Sequence, residues 1–215
     1  GIALAILICE VKNKKFKKIY QSAILLPFLM SMVILSYIVY ALLSSENGLL
    51  NNSILPALHI EAIQWYQEPK YWPFILVFVN CWKGVGYGCL IYIASLIGID
   101  PSYYEAARLD GASKWQEITK ITLPCLVPTI ITLLLLSIGR IFYSDFGLFY
   151  QVPMNSGVLF PTTNVIDTYV YRALIERGNI GMSSAAGVYQ SFVGFVIVMV
   201  SNWVVRRVDR EQALF

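Results

Sequence analysis

Residues 105–124 read EAARLDGASKWQEITKITLP, a stretch of mixed charge set between two long apolar runs. Its punctuation specifies a hairpin. Asp100-Pro101 just upstream opens a helix, since an aspartate can accept from the free N–H groups of a first turn and proline suits its first position. Residues 102–110 then run helically, with Ala106 and Ala107 forming a thin, closely approachable face. Gly111 is placed to stop this helix, because a left-handed terminal residue without a Cβ meets no steric cost. Ser113 starts a second helix, with Gln116 three residues on in capping-box register. Pro124 marks the entry to the next apolar run. The spacing predicts two short helices at an angle over residues 100–124.

The segments flanking this hairpin define the solvent. Hydrophobic residues make up 57% of the 215 positions, charged residues only 13%, and the mean hydropathy is +0.63. A soluble domain carries about 25% charged residues, so a chain this oily needs lipid around it. Residues 19–43 and 181–205 hold no charged side chain, 73–97 hold only Lys83, and 123–144 only Arg140. A span requires roughly 20 apolar residues at 1.5 Å rise. The runs are continuous, which favours helices over an alternating barrel. The expectation is a single all-α domain over 1–215, a polytopic membrane helical bundle with four complete spans. Residues 1–9 resemble the inner half of a further span whose beginning is absent.

Eleven of the 16 Lys and Arg fall in alternate loops: Lys12, Lys14, Lys15, Lys17 and Lys18, then Arg108, Lys114 and Lys120, then Arg206, Arg207 and Arg210. The positive-inside tendency places these loops, the hairpin among them, in the cytoplasm. Lys70, Arg172 and Arg177 fall on the opposite side, where Trp65, Tyr66, Tyr71 and Trp72 would form an interfacial aromatic belt. The net charge of +3 thus follows topology and does not point to nucleic acid. The basic run at 12–18 is an ordinary flank touching membrane lipid. Cys9, Cys81, Cys89 and Cys125 read as packing residues, and His59 as a loop residue. No spacing suggests a metal site, a nucleophile or a phosphate-cradling loop.

A lysine at the centre of a span costs about 2.5–3.5 kcal/mol on insertion scales. Lys83 is therefore expected to face a wet cavity or a carboxylate, with a local charge pair or snorkelling as the plainer alternative. Asn80, Lys83, Gly84 and Tyr87 share one helix face, and Ser137, Arg140, Ile141 and Ser144 share a face of the next span. These two faces are the candidate solute path, with Tyr87 able to stack on a sugar ring. Arg140, near a span end, can equally snorkel. The small residues of 181–194 suit close helix contact.

The pattern E-A-A-x3-G-x9-I-x-L-P, filled at every position by residues 105–124, resembles the signature of membrane subunits of binding-protein-dependent ABC importers. Three further stretches extend the likeness over nearly the whole chain: WKGVGYGCLIYIASL (82–96), TTNVIDTYVYRALIERGNIGMSSAAGVYQS (162–191) and NWVVRRVDREQALF (202–215). The chain is similar to type I importer permeases of the carbohydrate class, to the first permease of maltose-type systems and to the branch handling oligosaccharides and polysaccharide fragments. That resemblance implies six spans, about one and a half of them preceding Gly1. It assigns Glu105, Ala106, Ala107, Arg108, Asp110, Gly111 and Ser113 to coupling with an ATPase, and the faces of Lys83 and Arg140 to the solute. Aromatic and amide residues that the family places near Arg140 and Ile141 are absent here. The implied partners are a second permease, two cytoplasmic ATPase subunits and an extracellular solute-binding protein, in a bacterial cytoplasmic membrane. The chain itself would hold no cofactor, ATP and magnesium being bound by the partner subunits, and would catalyse no reaction.

Other classes fit less well. An importer of another solute, such as amino acids or phosphate, shares the hairpin. A secondary transporter or channel would want buried acids for ion coupling, and the spans lack Asp and Glu except Asp145 at one edge. A membrane enzyme would want converging carboxylates or a His–Asp set. Within the importer reading, Lys83 and Arg140 favour an acidic oligosaccharide, because a cation in a low-dielectric cavity attracts a carboxylate.

Overall fold

The computed structural model describes residues 1–141, 143–176 and 178–208, and the regular structure among them is entirely helical. Three unbroken helices, Pro69–Ile97, Lys114–Ile138 and Ile180–Arg207, are long and apolar enough to cross a membrane. A fourth candidate is a broken pair, α2 (Lys14–Leu29) and α3 (Met32–Leu43). The apolar run 19–43, read as one continuous span, is thus interrupted at Met30 and Ser31. Pro27 within α2 lacks an N–H for the ladder. Ser31, extended at φ −66°, ψ 153°, begins α3 by accepting from Ile34 N–H.

The helices group into two units. Unit 1 comprises Gly1–Leu25, Val85–Ile141 and the described part of Gly194–Phe215. It contains α1 (Ile2–Glu10), the start of α2 and the latter part of α5 (Trp72–Ile97). Its core joins Ala5 and Ile8 of α1 to Cys89 and Ile93 of α5, with Ile24 and Tyr92 packed alongside. Between helices in lipid, hydrophobic transfer gives little, so close approach and hydrogen bonds hold such contacts. Gly86 permits one: a Cβ there would lie 2.3 Å from the Ile24 carbonyl oxygen. Ser95 and Thr129 supply a side-chain hydrogen bond of 2.9 Å between α5 and α8 (Leu123–Gly139).

Unit 2 comprises Leu26–Gly84 and Phe142–Val193. It contains α3, α4 (Leu55–Ala57), the start of α5, α9 (Phe146–Gln151), α10 (Phe160–Thr163), α11 (Ile166–Ile175) and the start of α12 (Ile180–Val208). Leu35, Val39 and Leu43 from α3 meet Trp72, Leu76 and Val79 from α5, closed by Leu148, Val152 and Leu159. The loop over them is pinned by Asn51, buried, which bonds Ile63 through both its N–H and its carbonyl and accepts from Trp65 Nε1.

Two expectations, on α8 and on the cysteines, are corrected here. Trp65, Tyr66, Tyr71 and Trp72, expected at the interface, pack on one another as an aromatic cluster. Trp72 is fully buried and donates to the Trp65 carbonyl at 2.8 Å, Tyr66 meets its ring edge-on at 5.0 Å, and the Tyr66 hydroxyl donates to the Val152 carbonyl. The indole N–H groups of Trp65 and Trp72 and the Tyr66 hydroxyl find their partners within the fold. Next, α8 ends at Gly139, short of Ser144. The chain must leave the helix before Asp145, whose carboxylate caps α9 by accepting from Leu148 N–H. Finally, Cys89 is buried but Cys81 and Cys125 are exposed, so those two are not packing residues of this chain.

Candidate functional site

Helix α6 (Pro101–Leu109) is capped at its start by Asp100, which accepts from Ser102 N–H at 2.9 Å. That bond holds the Asp100 carboxyl below its ordinary range. The helix stops at Gly111, φ +79°, in a Schellman motif: Gly111 N–H donates to Arg108 O and Ala112 N–H to Ala107 O. A Cβ at Gly111 would meet nothing within 4 Å, so only backbone conformation reserves this place for glycine within the chain. Ser113 and Gln116 then close a full capping box around α7 (Lys114–Glu117).

The second arm differs from expectation. Instead of a separate short helix, α7 runs on through a wide π-type segment, Ile118–Thr122, directly into α8. Pro124 and Pro128 cannot donate to the residues four before them, and loosened turns of this kind accommodate such gaps. The Thr122 hydroxyl follows the wide register by donating to Glu117 O, five residues back, while bonding the Tyr104 hydroxyl at 3.0 Å.

At the hairpin's centre is a residue that the sequence reading passed over. Glu117 is buried at 3% exposure and holds Arg108 Nε at 2.8 Å and Lys114 Nζ at 2.9 Å. Lys114 also reaches Glu10 at the end of α1, at 3.2 Å. The Arg108 and Lys114 hydrogen bonds hold the Glu117 carboxyl down at about 2. Arg108 and Lys114 brace Glu117 while 56% and 57% of their own side chains stay exposed. Glu105 and Asp110 are exposed, as are Ala106 and Ser113. So are two apolar side chains absent from the sequence-based set, Leu109 at 89% and Trp115 at 72%. Their signal was present: large apolar residues inside a polar hairpin outside the apolar runs. Nine residues across a turn, the Arg108–Glu117 pairing had none. A cavity of about 230 Å³ behind the brace is lined by Cys9, Glu10, Lys17, Arg108, Lys114 and Glu117, among others.

The expected solute-path residues are dispersed in role. On α5, Asn80, Gly84 and Tyr87 are exposed. Lys83 is half-buried, and among the described residues no carboxylate pairs with it: its ammonium donates to the carbonyls of Met30 at 2.6 Å, Phe28 at 3.2 Å and Pro27 at 3.5 Å. On α8, the Ser137 hydroxyl bonds Leu133 O within its own helix, and Arg140 occupies the C-cap, exposed. Ile141 and Ser144 lie past the helix end and so do not share its face. Ser144 N–H donates to the Asp167 carboxylate at 2.8 Å.

Over residues 1–210 the sequence matches the model of a family described as binding-protein-dependent transport system inner membrane component. The chain is similar to the polygalacturonan/rhamnogalacturonan transport system permease protein YteP of Bacillus subtilis (strain 168), 33% identical across 98% of this chain. It is also similar to protein LplB of the same organism, 30% identical across 98% of this chain. The chain spans 64% and 65% of the length of those two relatives. Among solved structures it resembles a chain of a bacterial ABC transporter involved in the import of the acidic polysaccharide alginate. The TM-score is 0.91 and the identity 35%, over 97% of this chain and 72% of that one.

Proposed function

We propose a function from one premise: the chain belongs to the family of binding-protein-dependent transport system inner membrane components. It is the membrane-spanning, non-catalytic permease subunit of an ATP-driven oligosaccharide importer of bacteria. A second permease, two cytoplasmic ATPase subunits and an external solute-binding protein complete the assembly, and ATP and magnesium are bound by the ATPases. The observation that carries this reading is the hairpin. It is stiffened at every joint by caps, a Schellman stop and the Glu117 brace, yet presents Leu109 and Trp115 bare. A stiff polar element with an uncovered apolar tip suits a docking surface that must transmit a partner's movement.

Glu105, Ala106, Ala107, Arg108, Asp110, Gly111 and Ser113 form the ATPase-facing surface, joined by Leu109 and Trp115, and Arg108 also sets its shape by holding Glu117. Asn80, Gly84 and Tyr87 of α5, with Ser137 and Arg140 of α8, are assigned to solute contact; Ile141 and Ser144 contribute from the following loop. Lys83 is withdrawn from direct contact. The solute is an oligosaccharide, and an acidic one is favoured by the substrates for which YteP and the alginate importer are named, together with the exposed Arg140.

Reconstitution with the partner chains tests the core of the proposal. Gly111→Val should abolish transport and solute-stimulated ATP hydrolysis together while the assembly still forms. Normal transport by that variant would remove the coupling role. Uptake of matched neutral and uronate-bearing oligosaccharides by wild type and Arg140→Gln tests the substrate class. A wild-type preference for the uronate that the variant loses is expected.

A further inference from the structure

Lys83 sits on the core-facing stripe of α5. Trp72, Leu76, Val79 and Lys83 follow one another at helical spacing, and the first three are buried. An ammonium at this position is directed at whatever the stripe covers, and here that is the end of a helix. The last carbonyls of α2 carry the negative end of its dipole. The extended Ser31 ends the helical path just beyond them, and Pro27 O accepts from Met30 N–H at 3.3 Å. Lys83 adds its N–H donors to the carbonyls of Pro27 and Phe28 in α2 and of Met30 just past its end. Among the described residues no carboxylate forms an ion pair with it. This half-buried cation is met by backbone dipoles.

Helix C-terminal ends and unwound carbonyls at the break of a discontinuous membrane helix are the groups that coordinate monovalent cations in ion-coupled transporters. We propose that the carbonyls of Pro27, Phe28 and Met30 form a monovalent-cation site which the Lys83 ammonium fills as a tethered ion, holding the span in its broken form. The site belongs to the chain's architecture and reads no charge on the solute. It stands apart from the transport proposal, since it needs only the helix break and one side chain.

The test is melting of the purified full assembly in lipid nanodiscs, without solute or ATP, so that an assembly transporting something other than sugar still answers. Lys83→Ala should melt several degrees below wild type. Ethylammonium chloride should restore the loss in a saturable manner, and tetramethylammonium chloride, which carries no N–H donor, should not at equal concentration. Wild type should respond to neither. Equal melting of Lys83→Ala and wild type would overturn the proposal. So would recovery by both salts alike, or by neither. Should Lys83→Ala fail to assemble, yields of Lys83→Arg and Lys83→Met decide: the cationic variant should accumulate and the neutral one should not, and similar yields would overturn it.

Discussion

Helix α6 and helix α2 both stop abruptly, and they stop by opposite means. At Gly111 the ending is written into consecutive residues: a positive φ, two N–H groups turned back onto Arg108 and Ala107, and a capping serine two residues on. At Met30 the ending is completed from outside, by an ammonium more than fifty positions away in sequence that donates to the carbonyls of Pro27, Phe28 and Met30. A locally written stop is rigid before any partner arrives. A stop completed by a distant side chain exists only while two helices stay in register. The first suits an element that must keep its shape under load, the second a joint whose geometry depends on its neighbour.

The largest expected effect separates the two kinds of stop at the hairpin. Because no atom lies within 4 Å of a Cβ at Gly111, Gly111→Val acts through backbone conformation, at a cost of about 1–3 kcal/mol. Transport should fall at least about tenfold, while Gly111→Asn, which tolerates a left-handed conformation, should retain most of it. Equal loss in both variants would mean that a partner surface, and not the turn, reserves the position.

The distant stop should respond to charge and not to bulk. Lys83→Met should reduce transport of neutral and acidic oligosaccharides by the same factor, because the lost ammonium bonds the backbone. A loss confined to acidic solute would return Lys83 to the solute path.

An intermediate effect is expected at Glu117, whose brace is local in space but not in sequence. Glu117→Gln should lower the melting temperature of the assembly by a few degrees at neutral pH and loosen coupling, raising ATP hydrolysis per solute moved. The folded-state carboxyl lies below its ordinary value of 4.5, at about 2. The stabilisation is therefore complete above about pH 4.5 and lost as pH falls toward 2. Melting curves of wild type and Glu117→Gln should stay apart down to about pH 4.5 and converge only below it. Convergence near neutrality would show that the brace is not the ionised pair. The smallest effect belongs to the cap: Ser113→Ala should cost about 1 kcal/mol locally, visible as faster amide exchange in α7, with transport little changed.

These differences match what could be read before folding. The hairpin was legible because Asp100, Gly111, Ser113 and Gln116 act on neighbours within a few residues, and the apolar runs were legible because length and charge alone mark a span. The break at Met30 was not, because residues 19–43 carry no charge and a lone proline does not reveal where a span ends. Its clue lay elsewhere, in the register of Lys83 with Trp72, Leu76 and Val79. Grouping Lys83 with Asn80, Gly84 and Tyr87 gave it to the solute. Glu117 and the aromatic cluster needed contacts across turns that no period encodes.

The wide segment at Ile118–Thr122 carries one residue more per turn than the helix on either side, so side chains beyond it are turned by about 100° from where unbroken α-helical counting would put them. Glu117 and Thr122, five apart, consequently face inward together. A hairpin grafted from a relative with an ordinary turn at this place would match in sequence and length, yet present its docking tip on the wrong side of the shaft. Chimaeras cut after residue 122, which import the ordinary turn, should therefore misassemble where those cut upstream of residue 118, which keep the wide segment, do not.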